Sequence, residues 1–340
     1  MQVAIIGGGL AGSLLAWRLA ADPRVRVALA TGRRPVRDAT SVSGGAVRGY
    51  EAHPVQRSLA IESLVELIGS KILRTWSGFR PSRSVIVESA PGDDLGAAVD
   101  DVNRQLPRSA ALCDTAALQR LGWADLTPGT VAVLEERAGR IHPSALRDAV
   151  LADLAGRRNV TVTERPAERF DVLVYAAGAW TPGLLARAGL PSAGYRTKAI
   201  RYTVFRCGDW RPPVFSDGRL YGMPLDRGRL LLGAATDEWD VSPDVPSLLS
   251  TVDFVALTRR RLPRLRLGPV VRRAGAADCY CEPAILALKS VAEGVYVFSG
   301  GSGGSAKTAL AASARAATEL VGAGTDPTWL HTQEVSRVAS

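Results

Sequence analysis

The alternation of apolar and polar positions changes period along the chain, and its first stretch already defines a structural unit. A short apolar run at residues 3–6 predicts a buried strand, and a glycine-rich turn at residues 7–12 follows it. Apolar side chains then recur at helical spacing, as at Leu15 and Leu19, until a second apolar run at 25–31 predicts another strand. This order of strand, glycine turn, helix and strand is typical of dinucleotide binding.

Later segments repeat both periods, with a β-rich region in the middle. Helical periodicity is found at residues 54–76, 142–154, 245–262 and 307–321. Strand patterns are found at residues 84–88, 130–135, 159–163, 199–236 and 294–298. The largely apolar run at 171–178 predicts a buried parallel strand that ends in a glycine turn.

These segments predict an α/β fold. One part is a Rossmann-like, doubly wound and mostly parallel sheet, to which both ends of the chain contribute. The other is a domain built on an antiparallel sheet. Two domains are expected because 340 residues exceed one ordinary hydrophobic core.

The three glycines of the first turn have separate tasks in such a motif. Gly7 permits the tight turn, Gly9 lets the backbone approach a pyrophosphate, and Gly12 lets the helix pack on the strand. Leu10 and Ala11 begin the helix, whose N–H groups and partial positive charge attract phosphate.

The acidic residue that usually follows about 20 residues later, to bind ribose hydroxyls, is missing. Thr31 can donate one hydrogen bond at that place. Arg33 and Arg34 would suit a 2′-phosphate, or would lie against the adenine and solvent. These residues predict a dinucleotide and leave open whether it is NADP.

Composition narrows the classes of partner. With 42 Lys and Arg against 33 Asp and Glu, the net charge is +9, which favours anionic cofactors and substrates. The densest basic cluster, residues 259–266, has no interleaved aromatic side chain, so we interpret it as a solvated helix end and not as a nucleic-acid site.

No apolar stretch approaches the roughly 20 residues of a membrane span, and no basic segment precedes the first strand. A cytoplasmic protein without a membrane span is therefore expected. The four cysteines and three histidines predict neither a disulfide framework nor a metal site.

Several segments, in order, resemble the D-amino-acid-oxidase-like flavoproteins, in particular the sarcosine oxidase and glycine oxidase branch. They are residues 7–12, 41–48, 139–143, 176–181, 221–224 with 228–233, and 299–307. The most specific of them is the string Ala-Ala-Gly-Ala-Trp-Thr at 176–181. The resemblance implies FAD as the cofactor, because an NADP enzyme gives no role to the loop at 299–307.

The resemblance also implies which residues bind FAD and where the domains divide. The implied cofactor residues are Gly7, Gly9, Leu10, Ala11, Gly12, Thr31, Arg33, Ser43, Gly44, Gly45, Ala177, Gly178, Trp180, Gly301, Ser302, Gly303, Gly304 and Ser305. The FAD-binding domain would comprise residues 1–77, 137–190 and 279–325, and the substrate domain 78–136 and 191–278. Residues 326–340 would form a C-terminal tail.

Three residues are implied to act on the substrate. Lys307 and Arg48 match the cations that hold a substrate carboxylate in sarcosine-oxidase-like enzymes, and Tyr221 matches an active-site tyrosine. The residues by themselves leave ordinary alternatives open: a solvated lysine at a helix start, a surface arginine and a packed strand tyrosine.

Two further positions bear on the chemistry. Leu231 falls where the oxidases place a lysine that promotes reaction with O₂, so the electron acceptor is either O₂ or another molecule. Cys279 falls near the site where some of these enzymes attach FAD covalently; its alternative is an ordinary buried thiol.

The implied function is FAD-dependent oxidation of a C–N bond in an amino acid or secondary amine to an imine, by hydride transfer to the flavin. Two alternatives stay open: an FAD-dependent dehydrogenase of another anion, such as a hydroxy acid or a polyol phosphate, and a non-catalytic FAD-bound partner protein. No feature of the sequence predicts the oligomeric state.

Overall fold

The computed structural model of the chain describes residues 1–32, 37–89, 92, 94–208, 212–226, 228–245 and 252–322. Arg33, which is implied to bind the cofactor, and the predicted tail at 326–340 lie outside these described residues. So do residues 246–251 of the helix predicted at 245–262.

Seventeen strands form over the described residues, in three sheets. In chain order they are β1 (Gln2–Ile6), β2 (Arg26–Ala30), β3 (Ala46–Val47), β4 (Arg80–Pro81), β5 (Ser84–Glu88), β6 (Ala110–Cys113), β7 (Val131–Glu135), β8 (Gly139–Arg140), β9 (Val160–Thr163), β10 (Val172–Tyr175), β11 (Tyr195–Cys207), β12 (Val214–Ser216), β13 (Leu220–Leu225), β14 (Arg229–Ala234), β15 (Leu267–Cys281), β16 (Ala287–Ala292) and β17 (Val295–Ser299).

Ten α-helices accompany them in the same part of the chain. They are α1 (Leu10–Leu19), α2 (Ala39–Val42), α3 (Pro54–Gly69), α4 (Lys71–Ser77), α5 (Leu95–Gln105), α6 (Thr115–Arg120), α7 (Pro143–Ala155), α8 (Thr181–Arg187), α9 (Phe254–Arg261) and α10 (Ala309–Val321). Two 3₁₀ turns, Gly178–Trp180 and Ser305–Lys307, precede α8 and α10.

The first sheet has six strands in the order β16-β17-β10-β1-β2-β9, and all neighbours are parallel except β16 with β17. Its central strand β1 is buried on both faces, with Val3 and Ile5 on one face and Ala4 on the other at most 1% exposed. Helices α1, α7 and α10 pack together and cover it with their leucines and alanines. The predicted mostly parallel sheet, assembled from both ends of the chain, is confirmed.

The second sheet has eight strands in the order β15-β11-β14-β13-β12-β5-β7-β6. Its pairs are antiparallel, apart from β12 with β5. A small antiparallel sheet, β3-β8-β4, completes the set. The predicted α/β class with a separate antiparallel sheet is confirmed.

Some helix boundaries differ from the sequence pattern. The helix predicted at 54–76 is two helices, because Ser70 has extended backbone (ψ 115°) and its side chain accepts a hydrogen bond from the Leu73 N–H at 3.2 Å. Helix α9 begins at Phe254, where Asp253 caps it, and not at residue 245. The amphipathic helix α5 was not predicted.

None of the described helices is long and apolar enough to cross a bilayer.

Candidate active site

The turn between β1 and α1 depends on glycines at closely packed positions. Gly7 has a φ of +125°, and a Cβ there would lie 2.3 Å from the carbonyl oxygen of Ala176. A Cβ on Gly12 would lie 2.0 Å from the carbonyl oxygen of Gly7, so α1 and β1 meet through bare backbone. Among the described atoms, the nearest to a Cβ on Gly9 would be Thr40 Oγ1 at 3.5 Å, an ordinary van der Waals contact, so Gly9 is not closely packed.

A cavity of about 620 Å³ opens beside this turn, at the carboxyl ends of β1, β2, β10 and β17. Most of the predicted cofactor residues line it: Gly7, Gly9, Leu10, Ala11, Thr31, Ser43, Ala177, Gly178, Trp180, Gly301, Ser302, Gly303 and Ser305. The other described ones lie outside its lining, next to it: Gly12 against Gly7, Gly44 against Leu231, Gly45 against Ile141 and Gly304 against Lys307. The cavity follows the crevice in which open α/β sheets bind ligands.

Side chains around the cavity are held by specific hydrogen bonds. Trp180 Nε1 donates to Asp244 Oδ1 at 2.9 Å, and the Leu10 N–H donates to Thr40 Oγ1 at 3.0 Å. The Thr31 hydroxyl donates to the carbonyl oxygen of Thr163 at 3.2 Å. Thr31 as a ribose-binding residue stays a prediction, since its hydroxyl can both donate and accept hydrogen bonds.

The long pair β11 and β15 brings the second sheet to the same cavity, through Ile200 and Asp278. Asp278 Oδ1 accepts from the Cys279 N–H at 2.8 Å, and burial raises the pKa of this carboxyl to about 7. Sequence reasoning missed Asp278. The available signal was a lone carboxylate within the run of small apolar residues at 274–279.

Cys279 lies on the other face of β15, as the alternation of a strand requires. It is 1% exposed and packs with Tyr175, Leu185 and Val297, outside the described lining of the cavity. Burial raises the pKa of its thiol to about 12, so the thiol is neutral. The covalent flavin link stays a prediction, and neither this placement nor this protonation state favours it.

Tyr221 and Leu231 lie on neighbouring strands, β13 and β14. The Tyr221 hydroxyl donates to the carbonyl oxygen of Arg201 at 3.0 Å, and burial raises the pKa of Tyr221. Its ring covers Gly233, where a Cβ would lie 2.0 Å from Tyr221 Cζ. Leu231 is 3% exposed, with Cδ1 3.4 Å from where a Cβ on Gly44 would be. Leu231 therefore touches the loop that is implied to lie beside the flavin.

The structure brings Arg48 and Lys307 together around a carboxylate that sequence reasoning missed. Arg48 follows β3, and Lys307 ends the 3₁₀ turn before α10. Glu51 Oε1 lies 2.8 Å from Arg48 Nη2 and 2.9 Å from Lys307 Nζ. The three side chains are only 12–15% exposed, so this is a partly buried ion-pair cluster and not a solvated surface contact.

The charges of this cluster shift one another's protonation. Burial acts to raise the pKa of Glu51, but Arg48 and Lys307 outweigh it and hold that pKa below its ordinary value. Burial, and then Arg48, lower the pKa of Lys307, while Glu51 opposes them. Glu51 is therefore ionised at neutral pH and shares its charge between two cations.

A second carboxyl, Glu135 at the end of β7, holds the backbone between Arg48 and Glu51 in place. Its two oxygens accept the N–H groups of Gly49 and Tyr50, and it is fully buried. Burial raises the pKa of Glu135 against these two hydrogen bonds. The sequence signal was a carboxylate that ends an apolar strand, which nothing in the local pattern links to residues 48–51.

Comparisons with known proteins show the family of the chain. The model of one protein family, the FAD-dependent oxidoreductases of the D-amino-acid-oxidase type, matches residues 2–320. The chain belongs to this family. A comparison of the sequence with curated proteins finds no match.

Solved structures resemble this FAD-dependent oxidoreductase over nearly their whole length. Glycine oxidase from Geobacillus kaustophilus has a TM-score of 0.72 at 18% identity, covering 95% of this chain and 96% of its own. L-proline dehydrogenase from P. horikoshii has a TM-score of 0.73 at 15% identity, covering 98% of each chain. L-α-glycerophosphate oxidase from Mycoplasma pneumoniae has a TM-score of 0.73 at 15% identity, covering 94% of this chain and 95% of its own. At these identities the likeness shows the fold.

The residues of this oxidoreductase fit the FAD that its family uses. Gly9 leaves the backbone open to a pyrophosphate, and the first turn of α1 faces the same cavity. The cavity continues from that turn to Gly301–Gly303, so one extended ligand can contact both glycine segments. A Cβ at Gly9 would fill the approach to the helix N-terminus.

Proposed function

We propose that this oxidoreductase oxidises the C–N bond of an amino acid or a secondary amine, giving an imine. The observation that carries the proposal is the pair Arg48 and Lys307, whose charged groups converge on a single carboxylate oxygen. Two cations arranged in this way suit a substrate carboxylate. Bound FAD supplies the two-electron acceptor that takes the hydride from the carbon next to nitrogen.

The residues of the chain bind and orient the substrate in this proposal. Arg48 and Lys307 hold the carboxylate, which restricts the position of the α-carbon. Tyr221 stays a predicted active-site residue: its hydroxyl already donates to the Arg201 carbonyl, and it lies outside the described linings of both cavities. The names of two structural neighbours, glycine oxidase and L-proline dehydrogenase, belong to the same reaction class.

A second candidate is oxidation of a hydroxy acid or a polyol phosphate. It is favoured by the equal likeness, with a TM-score of 0.73, to L-α-glycerophosphate oxidase. A phosphate dianion would also be attracted by Arg48 and Lys307. This candidate keeps the FAD residues and changes only what the two cations hold.

Anaerobic reduction of the purified yellow protein separates the two candidates. We expect one FAD per chain and loss of the flavin absorbance on adding glycine, sarcosine or proline. Bleaching by glycerol 3-phosphate or lactate alone would replace the amine proposal with the second candidate. A colourless protein that binds NADPH would contradict both.

Four further predictions accompany this proposal. Leu231, at the position where the oxidases have a lysine, favours an electron acceptor other than O₂. The cytoplasmic location stays a prediction. So does the division into an FAD-binding domain (1–77, 137–190 and 279–325), a substrate domain (78–136 and 191–278) and a tail (326–340). Acid precipitation followed by mass measurement of the chain tests whether Cys279 carries flavin: only free FAD and an unmodified mass would exclude the link.

A further inference from the structure

The Arg48–Glu51–Lys307 cluster contains a carboxylate at the place where the proposed function puts the carboxylate of the substrate. One oxygen of Glu51 lies within 2.9 Å of both cations, although they come from distant parts of the chain. A substrate carboxylate held by the same two groups would need the same oxygen position.

Glu51 reduces the positive charge that Arg48 and Lys307 can offer to an incoming carboxylate. Glu135 is occupied by the N–H groups of Gly49 and Tyr50, so Glu51 is the carboxylate that contacts the charged ends of both cations. With Glu51 in place, an incoming carboxylate meets a net charge of +1 where the two cations alone would present +2. The attraction between the incoming carboxylate and the cluster is weaker at the lower net charge.

Space next to the cluster allows Glu51 to move aside. A small cavity of about 30 Å³ is lined by Glu51 and Lys307, together with Gln56, Gly301 and Ser302. That volume accommodates a water molecule and therefore part of a displaced carboxylate. Gly301 and Ser302 also line the large cavity, so the two spaces are adjacent.

We infer that Glu51 is a specificity-determining residue that competes, from within the chain, with a substrate carboxylate for Arg48 and Lys307. The inference rests on the proposed function, in which these two cations hold the substrate. It predicts weak binding of small monocarboxylates, because each must displace an ionised group that is already paired. Ligands with additional anchoring groups overcome this competition, so Glu51 selects against the smallest acids.

The alternative role for Glu51 is to orient the two cations, and it predicts the opposite result. If Glu51 orients them, Glu51→Gln weakens binding of a carboxylate. If Glu51 competes, the same substitution tightens it. The side chain of glutamine has the same shape, so packing changes little.

The experiment uses the FAD-bound protein and acetate, with acetamide as the uncharged match. Dissociation constants are measured from the change in flavin absorbance for the wild type, Glu51→Gln and Glu51→Asp. The control is Glu62→Gln, which removes an exposed carboxylate paired with Arg315 on the surface. We expect Glu51→Gln to bind acetate about tenfold more tightly, Glu51→Asp to lie between it and the wild type, and acetamide binding to stay unchanged.

Each outcome separates this inference from the proposed function. Equal or weaker acetate binding by Glu51→Gln, with acetate binding lost in Arg48→Ala, overturns the competition and keeps the carboxylate site. Acetate binding that Arg48→Ala and Lys307→Ala leave unchanged overturns the proposed function itself. If Glu51→Gln does not fold, weaker binding by Glu51→Asp contradicts the inference.

Discussion

The proposed substrate site differs from the surrounding surface in having partly buried charged side chains, Arg48, Glu51 and Lys307. The chain has many arginines, but Arg48 is one whose guanidinium is turned inward, onto Glu51 and beside Lys307. Partly buried pairs of this kind are costly to break, since the partner is left with an uncompensated charge. Predictions at this scale therefore concern charge.

Replacing either cation should weaken substrate binding and leave FAD bound. Loss of one partner of a charge-assisted pair costs roughly 2–5 kcal/mol, or about 30-fold or more in affinity. KM for the best amine substrate and FAD content would be compared for Arg48→Ala and Lys307→Ala. Arg315→Ala, on the surface of α10, is the control. Unchanged kinetics in both variants would remove the amino-acid assignment.

Leu231 should make the reduced enzyme slow to react with O₂. A cation beside the flavin stabilises the negative charge that develops on oxygen, and its absence slows such a step by about 100-fold. Stopped-flow reoxidation in air-saturated buffer measures this, and Leu231→Lys is expected to accelerate it. Met223→Leu, in the same apolar cluster, is the matched control. A fast wild-type rate that Leu231→Lys leaves unaltered would favour an oxidase.

Asp278 should make stability depend on pH in FAD-free protein. The pKa of its carboxyl is about 7 in the folded protein, against an ordinary value of 3.8, so the folded state holds the proton up to a higher pH. Its contribution is fully present below pH 4 and is lost as pH rises towards 7 and above. Between pH 4 and 8, the wild type should lose about 1–3 kcal/mol of unfolding free energy relative to Asp278→Asn. Parallel urea-unfolding results for the two proteins would contradict this.

At the scale of elements, the β1–α1 turn contains one glycine that folding requires and another that we expect cofactor binding to require. A Cβ at Gly12 would lie 2.0 Å from the Gly7 carbonyl oxygen, whereas a Cβ at Gly9 has Thr40 Oγ1 at 3.5 Å as its nearest described atom. The two positions have the same residue type in one turn but different surroundings, which makes them a matched pair.

Gly12→Ala should lower the unfolding free energy, because α1 must move away from β1. Gly9→Val should leave the FAD-free protein close to wild-type stability and abolish FAD binding, since the side chain occupies the approach to the pyrophosphate. Thermal unfolding and FAD content per chain distinguish the two. Full FAD content in Gly9→Val would show that the cofactor does not use this turn.

At the scale of the whole molecule, the large cavity joins the two main sheets. The glycine turn and Ser299 come from the six-stranded sheet, and Ile200 and Asp278 come from the eight-stranded one. A ligand that fills the cavity contacts both, so its binding energy is added to the stability of the assembly.

Removal of FAD should therefore lower Tm for the whole protein and not for one part. At 1,000 times its Kd, free FAD stabilises the folded state by about 4 kcal/mol. Tm would be recorded with increasing FAD, following the tryptophans of both regions: Trp17 packs against the hydrophobic core that includes the six-stranded sheet, and Trp123 belongs to the core that includes strands of the eight-stranded one. A transition near Trp123 that does not respond to FAD would contradict coupling across the cavity.

Much of the fold could be predicted because its signals are local. The turn at Gly7–Gly12 and the buried run that became β10 depend on periodicity and on backbone conformations of neighbouring residues. The split at Ser70 was missed, because the apolar spacing continues through a residue whose cap hydrogen bond breaks the helix. Most predicted cofactor residues line one cavity, since strand-end loops of a parallel sheet share an edge.

The sequence by itself determined the strand–glycine–helix unit, because close backbone approach at Gly7 and Gly12 tolerates only glycine. Its resemblance over several segments also indicated the family, which the match over residues 2–320 shows. Tertiary structure alone decided the charge cluster, since Glu51 and Lys307 meet only after α10 packs on the first sheet. It also decided which face of β15 points at the cavity. Because side chains alternate along a strand, Asp278 and Cys279 must lie on opposite faces of β15. Packing of Cys279 against Tyr175 and Val297 decides that the thiol lies in the core and that the Asp278 carboxyl lines the large cavity.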